Sequence, residues 1–146
     1  MPSIGEPAPE FNAPTADGGS LKLSSLRGSS VILYFYPEAD TPGCTVESKG
    51  FRDIYPELKA KGVQVVGVSV DGVDKQCAFA DKYHLPFPLV ADSTKTVATA
   101  YGALRPSGRA RRVTFLIAPD GKIRDIIDVP EATRHLARAR DVFLPA

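Results

Sequence analysis

The sequence predicts an α/β fold with a mixed central sheet and helices on both of its faces. Two continuous β-branched and aromatic runs, 31–36 and 63–70, have the composition of strands buried on both faces. A segment expected to be helical follows each run. Two further strand-like runs flank a Pro-Asp-Gly-Lys turn at 119–122, which is a strong hairpin signal. Strands that alternate with helices and end in a hairpin predict parallel and antiparallel pairing within one sheet.

Local signals predict the elements of the first half of the chain. The stretch up to Gly28 is rich in Pro, Gly and Ser, which favours a loop and a small N-terminal hairpin extension. Pro37 ends the strand at 31–36. Apolar residues at helical spacing predict a helix over 44–61, and Gly62 is well suited to end it.

The second half continues the alternation of strands and helices. A helix over 73–83 is expected to end before Leu85-Pro86, because the residue that precedes a proline disfavours helical backbone. The later elements are a strand at 87–90, a short helix at 93–101, a loop at 105–109, strands at 113–117 and 123–129, and a helix at 131–143.

Length and composition predict a single domain over residues 1–146. The content of 43% hydrophobic and 24% charged residues is ordinary for a globular protein. A net charge of +1 gives no field to attract nucleic acid or an anionic membrane, so neither partner is expected. The first residues lack the pattern of a signal peptide, and no apolar stretch is long enough to span a bilayer. We therefore expect a cytoplasmic protein.

The two cysteines, Cys44 and Cys77, lie far apart in the sequence. A structural disulfide is a poor expectation in a reducing compartment. Together with His84 and His135 they give four possible metal ligands, but without the close pairing of a zinc motif. We expect no metal and no cofactor, so either the cysteines are inert core residues or at least one is reactive.

The segment around Cys44 indicates a reactive cysteine. It leaves the carboxyl end of a buried strand and enters a helix, where unpaired backbone N–H groups and the helix dipole favour a thiolate. Pro42 and Gly43 allow a tight entry and a close backbone approach to a small substrate. Thr41 offers a hydroxyl to the sulfur or to a peroxide oxygen. The alternative is a cysteine that merely packs at a helix start.

The chain at this point resembles the peroxiredoxins, and specifically their bacterioferritin comigratory protein, or PrxQ, subfamily. Pro37, Thr41 and Cys44 match the family's peroxidatic signature. Further similar segments cover nearly the whole chain, at 5–11, 67–71, 85–92 and 113–117.

This resemblance implies a thioredoxin-like domain and a thiol-dependent peroxidase that reduces hydrogen peroxide and organic hydroperoxides. The Cys44 thiolate attacks the peroxide and becomes a sulfenic acid. In the family the proline, here Pro37, shields the site and the threonine, Thr41, orients the peroxide. The matching arginine is Arg112, with Arg111 as the fallback if the alignment is off by one residue. The resemblance also implies thioredoxin, or alternatively glutaredoxin, as reductant, and a monomer.

The match breaks at the second cysteine. The commonest resolving position of the subfamily falls on Lys49, and the position used by other relatives falls on Ala80. Cys77 lies one helical turn before Ala80, on the same face. We expect it to resolve Cys44 as an intramolecular disulfide, which requires local unwinding because Cα atoms must come within about 7 Å. The alternative is an inert Cys77 and a one-cysteine enzyme that depends on an external thiol.

Two other functions compete with a peroxidase. A thiol–disulfide oxidoreductase would need Cys-x-x-Cys, and the first position of that motif here is Thr41. A non-enzymatic thioredoxin-like binding module would need none of the signature residues. Glu47, one turn after Cys44, is a candidate to pair with an arginine and hold it in place. His135, between Arg134 and Arg138, is expected on an exposed helix face.

Overall fold

A computed structural model describes residues 1–145 and contains a five-stranded mixed sheet with the strand order β5-β4-β3-β6-β7. Residues 23–26 form a 3₁₀ turn. The elements are β1 (Asn12–Pro14), β2 (Ser20–Lys22), β3 (Ser30–Phe35), α1 (Pro42–Ala60), β4 (Val63–Ser69), α2 (Val73–Tyr83), β5 (Leu89–Ala91), α3 (Thr96–Ala100), β6 (Val113–Ile117), β7 (Ile123–Ile127) and α4 (Ala132–Phe143).

Strand β3 lies at the centre of the sheet and sets the register of its neighbours. It pairs in parallel with β4, with Tyr34 opposite Gly67, and antiparallel with β6, with Phe35 opposite Val113. Strands β1 and β2 form a separate antiparallel hairpin. The predicted mixed sheet and N-terminal hairpin are therefore confirmed.

Alternate side chains of β3 enter two different cores. Val31, Leu33 and Phe35 pack on one face with residues of α3 and the N-terminal segment. On the other face the side chains of β3 pack with residues of α1, α2 and α4. Helices thus cover both faces, as predicted.

Helix α1 begins and ends where local chemistry dictates. It starts at Pro42, two residues earlier than predicted, and proline is favoured at a first helical position because its missing N–H would be unpaired there anyway. The helix ends at Ala60, and Gly62 follows with a φ of +74°. This left-handed conformation fits the predicted role of the glycine.

Two other elements, a helix and a strand, are shorter than predicted. Helix α3 begins at Thr96 instead of at residue 93, because the carboxylate of Asp92 accepts the N–H groups of Val97 and Ala98. Strand β7 ends at Ile127 instead of at residue 129. Across residues 1–145, none of the helices combines the length and the apolar character that crossing a membrane requires.

Candidate active site

Cys44 is the third residue of α1, and its side chain is buried. The helix begins after Thr41, whose carbonyl accepts the N–H of Thr45 at 2.8 Å. The first N–H groups of a helix have no partner within it, and they point toward this end. The sequence prediction of a cysteine in the first turn is confirmed, and the backbone around the sulfur is suited to hold an anion.

Sheet register brings Arg112 to this helix end. Val113, the first residue of β6, pairs with Phe35, the last residue of β3, so Arg112 lies beside the loop that leads from β3 into α1. Its Nη2 donates a hydrogen bond to the Cys44 sulfur at 3.3 Å, and its Nη1 donates to Glu47 Oε1 at 2.7 Å. One guanidinium therefore bridges the thiol and a carboxyl one turn further along α1.

Gly43 makes room for this arginine. A Cβ atom at position 43 would lie 2.9 Å from Arg112 Nη2, closer than real Cβ contacts. The sequence suggested that the glycine allows a close approach of backbone to substrate. In the structure the neighbour that it accommodates is the guanidinium.

Glu47 and Arg112 form a mostly buried ion pair, with exposed side-chain fractions of 0% and 11%. The predicted pairing of Glu47 with an arginine is thus confirmed. Burial raises the pKa of Glu47 to about 8, although the charge of Arg112 acts in the opposite direction. Burial also opposes the charge of Arg112, but the negative charges of Glu47 and Cys44 outweigh it and raise the arginine's pKa.

His135 is fully buried, so its expected position on an exposed face was wrong. It lies on α4 between Ala132 and Ala139, which are also buried at helical spacing. Its Nδ1 lies 2.7 Å from Thr114 Oγ1, and its Nε2 lies 2.8 Å from the carbonyl of Val129. Burial lowers the pKa of His135. The sequence analysis therefore missed a polar residue directly behind the Glu47–Arg112 pair.

Thr41 precedes Cys44 by three residues, and its hydroxyl donates to the carbonyl of Glu38 at 2.8 Å. The lone pairs of the hydroxyl oxygen stay available as acceptors. Pro37 follows β3 and, together with Arg112, lines an open cavity of about 620 Å³. The remaining residues of its wall are Leu104, Arg105, Pro106, Arg111, Asp128 and Pro130.

Arg112, not Arg111, is the arginine at Cys44. The guanidinium of Arg111 donates instead to Asp128 at 2.9 Å, so the fallback alignment was wrong. Arg109 pairs with Glu38, away from the sulfur.

Cys77 lies on α2 and is a free thiol, as is Cys44. It is partly buried against the core that contains Cys44, and its sulfur lies 3.8 Å from Asp81 Oδ2. The negative charge of Asp81, aided by burial, raises the pKa of Cys77. Cys77 lines a second cavity of about 450 Å³ together with Leu85 and Phe87, and this wall contains neither Pro37 nor Arg112. The two thiols therefore differ in exposure, because Cys44 is buried and Cys77 is partly exposed at this second cavity.

Comparison with known proteins identifies the family of this chain. The sequence profile of the AhpC/TSA family matches residues 4–126. The chain is a peroxiredoxin of the AhpC/TSA family. It is 42% identical over 141 residues to a Bcp-type peroxiredoxin of Coxiella burnetii, covering 92% of this chain and 93% of that one. Peroxiredoxin Bcp of Escherichia coli is 38% identical over 138 residues, covering 90% and 88% of the two chains.

Solved structures place this peroxiredoxin in the Bcp/PrxQ branch. The crystal structure of peroxidoxin BcpB from Mycobacterium tuberculosis superposes with a TM-score of 0.87 at 35% identity, covering 97% of this chain and 99% of that chain. The bacterioferritin comigratory protein of Xanthomonas campestris gives a TM-score of 0.85 at 26% identity, covering 91% and 89%. The thioredoxin-like fold and a thiol-dependent peroxidase activity are thereby confirmed. Within the part of the peroxiredoxin that the structure describes, no three His, Cys, Asp or Glu side chains form a group that could hold a metal ion.

Proposed function

We propose that Cys44 is the peroxidatic cysteine of this enzyme. Its thiolate attacks one oxygen of the peroxide, an S–O bond forms and the O–O bond breaks. The peroxide proton passes to the leaving oxygen, which departs as water or an alcohol. Cys44 is left as a sulfenate, which takes up a proton from solvent to give the sulfenic acid. The observation that carries this proposal is the 3.3 Å hydrogen bond from Arg112 Nη2 to the Cys44 sulfur.

Four residues near Cys44 have complementary tasks in this step. Arg112 stabilises the thiolate and, as a planar multi-donor group, also the charge that develops on the peroxide oxygens. The Thr41 hydroxyl already donates to Glu38, so its oxygen is oriented to accept the peroxide O–H. Pro37 covers the cavity side of the site, and Gly43 keeps the guanidinium within reach.

The cavity beside Arg112 supports organic hydroperoxides as substrates in addition to hydrogen peroxide. Its volume of about 620 Å³ far exceeds what hydrogen peroxide needs, and Leu104, Pro106 and Pro130 give it apolar walls. The related Xanthomonas campestris protein reduces alkyl peroxides.

We infer that Cys77 resolves the sulfenic acid as an intramolecular disulfide. It is the second thiol of the chain and packs against the core that contains Cys44. Because both thiols are free and each is held within a helix, a disulfide between them requires local unwinding of the first turn of α1 and of α2 around Cys77. An external thiol that resolves Cys44 directly is the competing route, with Cys77 inert.

The reductant, the oligomeric state and the location of the protein stay predictions. We expect thioredoxin, or glutaredoxin, to reduce the disulfide, and a monomer in the cytoplasm. Gel filtration and a coupled assay with each reductant test these expectations directly.

Serine substitution of each cysteine tests the proposed function. Cys44→Ser is expected to abolish peroxide consumption, because a serine hydroxyl is a far weaker nucleophile at neutral pH. Cys77→Ser is the matched control and is expected to keep the first oxidation of Cys44. Peroxide turnover by Cys44→Ser near the wild-type rate would exclude Cys44 as the nucleophile.

A further inference from the structure

Glu47 has an unusual surplus of hydrogen-bonding capacity. Its side chain is fully buried, and Oε1 is occupied by Arg112. Across residues 1–145, its Oε2 is the one buried side-chain oxygen or nitrogen that has no hydrogen-bond partner. The Nδ1 atom of His135, which is also fully buried, lies 3.6 Å away. An unsatisfied buried carboxylate oxygen is costly, which points to a proton at this contact.

The hydrogen bonds of His135 leave room for that proton. The carbonyl of Val129 can only accept, so His135 Nε2 carries a hydrogen. The other ring nitrogen, Nδ1, faces the hydroxyl of Thr114, which can donate or accept, and the free oxygen of Glu47. A proton can therefore reside on Glu47 Oε2 or on His135 Nδ1 without breaking any bond that the structure shows.

Charge balance favours one such proton. When Cys44 is a thiolate and Glu47 is ionised, two negative charges share the single positive charge of Arg112 in a buried site. One added proton makes this cluster neutral, which burial strongly favours. Burial raises the pKa of Glu47 to about 8 and lowers the pKa of His135, so the carboxyl is the favoured carrier.

Other charged groups near this contact act more weakly. The negative charges of Asp128, which follows β7, and of Glu131, which precedes α4, favour the protonation of His135. Arg112 disfavours it. Tyr34 of β3 is buried beside Cys44 and Glu47, and its phenol stays neutral because burial raises its pKa strongly.

We propose that Glu47 and His135 hold one proton between them while Cys44 is a thiolate, and that His135 thereby acts as a positioning residue. The shared proton leaves the full charge of Arg112 for the sulfur and for the peroxide. When the proton is lost at alkaline pH, the Glu47 carboxylate competes for Arg112 and the reaction with peroxide slows. This inference rests on the proposed role of Cys44.

The test compares the rate of the first oxidation in wild type and Glu47→Gln as the pH rises from about 7 to about 9, on either side of the Glu47 pKa of about 8. Glutamine has the shape of a protonated carboxyl and cannot ionise. We expect the wild-type rate to fall by up to about tenfold over this range and the Glu47→Gln rate not to fall. A rising pH can only increase the thiolate fraction, so such a fall must come from another group.

The His135→Gln variant tests whether the histidine helps to hold this proton. The glutamine amide nitrogen can still donate to the carbonyl of Val129, but it places no nitrogen at the Nδ1 position. We expect the fall in rate to begin at a lower pH in this variant, because the proton then has one site instead of two and is lost more easily. A purely structural role would lower the rate equally at every pH.

Infrared spectroscopy of the reduced wild type keeps the proposal testable if His135→Gln does not fold. We expect the stretching band of a buried protonated carboxyl near neutral pH, and its loss in Glu47→Gln. Parallel pH profiles in wild type and Glu47→Gln, or no difference in that band, would overturn the shared proton. Peroxide reduction by Cys44→Ser would instead overturn the proposed function, so the two failures are distinguishable.

Discussion

Arg112 Nη2 lies 3.3 Å from the sulfur of Cys44, although 68 residues separate them in the sequence. The contact follows from antiparallel pairing. The start of β6, which Arg112 precedes, lies beside the end of β3, and the chain that leaves β3 leads into α1 and Cys44. The same guanidinium holds Glu47, so its two nitrogens are fixed by two different groups. A fork-shaped cation held in this way can stabilise a thiolate without reorganising during the reaction.

Arg112→Lys is expected to slow the oxidation of Cys44 by about a hundredfold or more, the cost of removing one preorganised donor. A lysine ammonium keeps the charge but cannot reach Glu47 and the sulfur with separate nitrogens. The measurement is the second-order rate constant with hydrogen peroxide, together with the ultraviolet absorbance of the thiolate.

Arg111→Ala is the matched control for this substitution. Arg111 pairs with Asp128 instead of with the sulfur, so its loss is expected to cost less than about tenfold. An Arg112→Lys rate close to that of wild type would show that positive charge suffices and that the fork geometry does not matter.

Gly43→Ala is expected to slow the peroxidase by about tenfold to a hundredfold, because the new methyl group displaces Arg112 Nη2. Alanine suits a helix better than glycine, so the melting temperature should not fall. Gly72→Ala is the control, because a Cβ there meets no atom within 4 Å and the backbone φ of −75° suits alanine. A Gly43→Ala enzyme with wild-type rates would contradict the role given to this glycine.

Most of the fold could be predicted from sequence because its signals are local. The run 31–36 is apolar at every position, which fits a central strand that feeds two cores, and Gly62 ends α1 as expected. The start of α3 could not be predicted, because it depends on the Asp92 side chain accepting N–H groups from the helix. Strand order and the Phe35–Val113 register depend on long-range packing, for which the sequence carries no local signal.

His135 shows why one part of the site was missed. Its arginine neighbours suggested an exposed face, yet Ala132, His135 and Ala139 follow the spacing of a buried helical stripe. That spacing was the sequence signal for a buried position at 135. It was overlooked because a histidine is polar and was therefore expected at the surface. Its partners, Thr114 and Glu47, come from other elements, so only the folded structure reveals that its polarity is satisfied.

Gly50→Ala is expected to destabilise the fold by about 1–3 kcal/mol, because a Cβ there would overlap the Leu136 side chain of α4. Chemical denaturation measures the loss. Gly50→Ala should cost less in a Leu136→Ala background than in wild type, since the smaller side chain leaves room for the new methyl group. Strictly additive effects of the two substitutions would show that these residues do not compete for one space.

Asp81→Asn is expected to speed the alkylation of Cys77 at neutral pH by about threefold. The negative charge of Asp81 raises the pKa of Cys77, so removing that charge lowers the pKa and increases the reactive thiolate fraction. Mass spectrometry of the modified peptide gives the rate. Asp74→Asn is the control, because Asp74 contributes least to the shift and its removal should have a smaller effect.

The fate of Cys77 after one equivalent of peroxide decides how the enzyme is recycled. We expect a monomer whose intact mass shows an internal disulfide, with both thiols protected from a later alkylating agent. In Cys77→Ser the first oxidation should survive, and excess peroxide should over-oxidise Cys44 because no second thiol captures the sulfenic acid. If wild-type Cys44 gains oxygen while Cys77 still alkylates, an external thiol resolves the sulfenic acid. Cys77 would then be a packing residue of α2, and the unwinding of α1 and α2 would have no part in turnover.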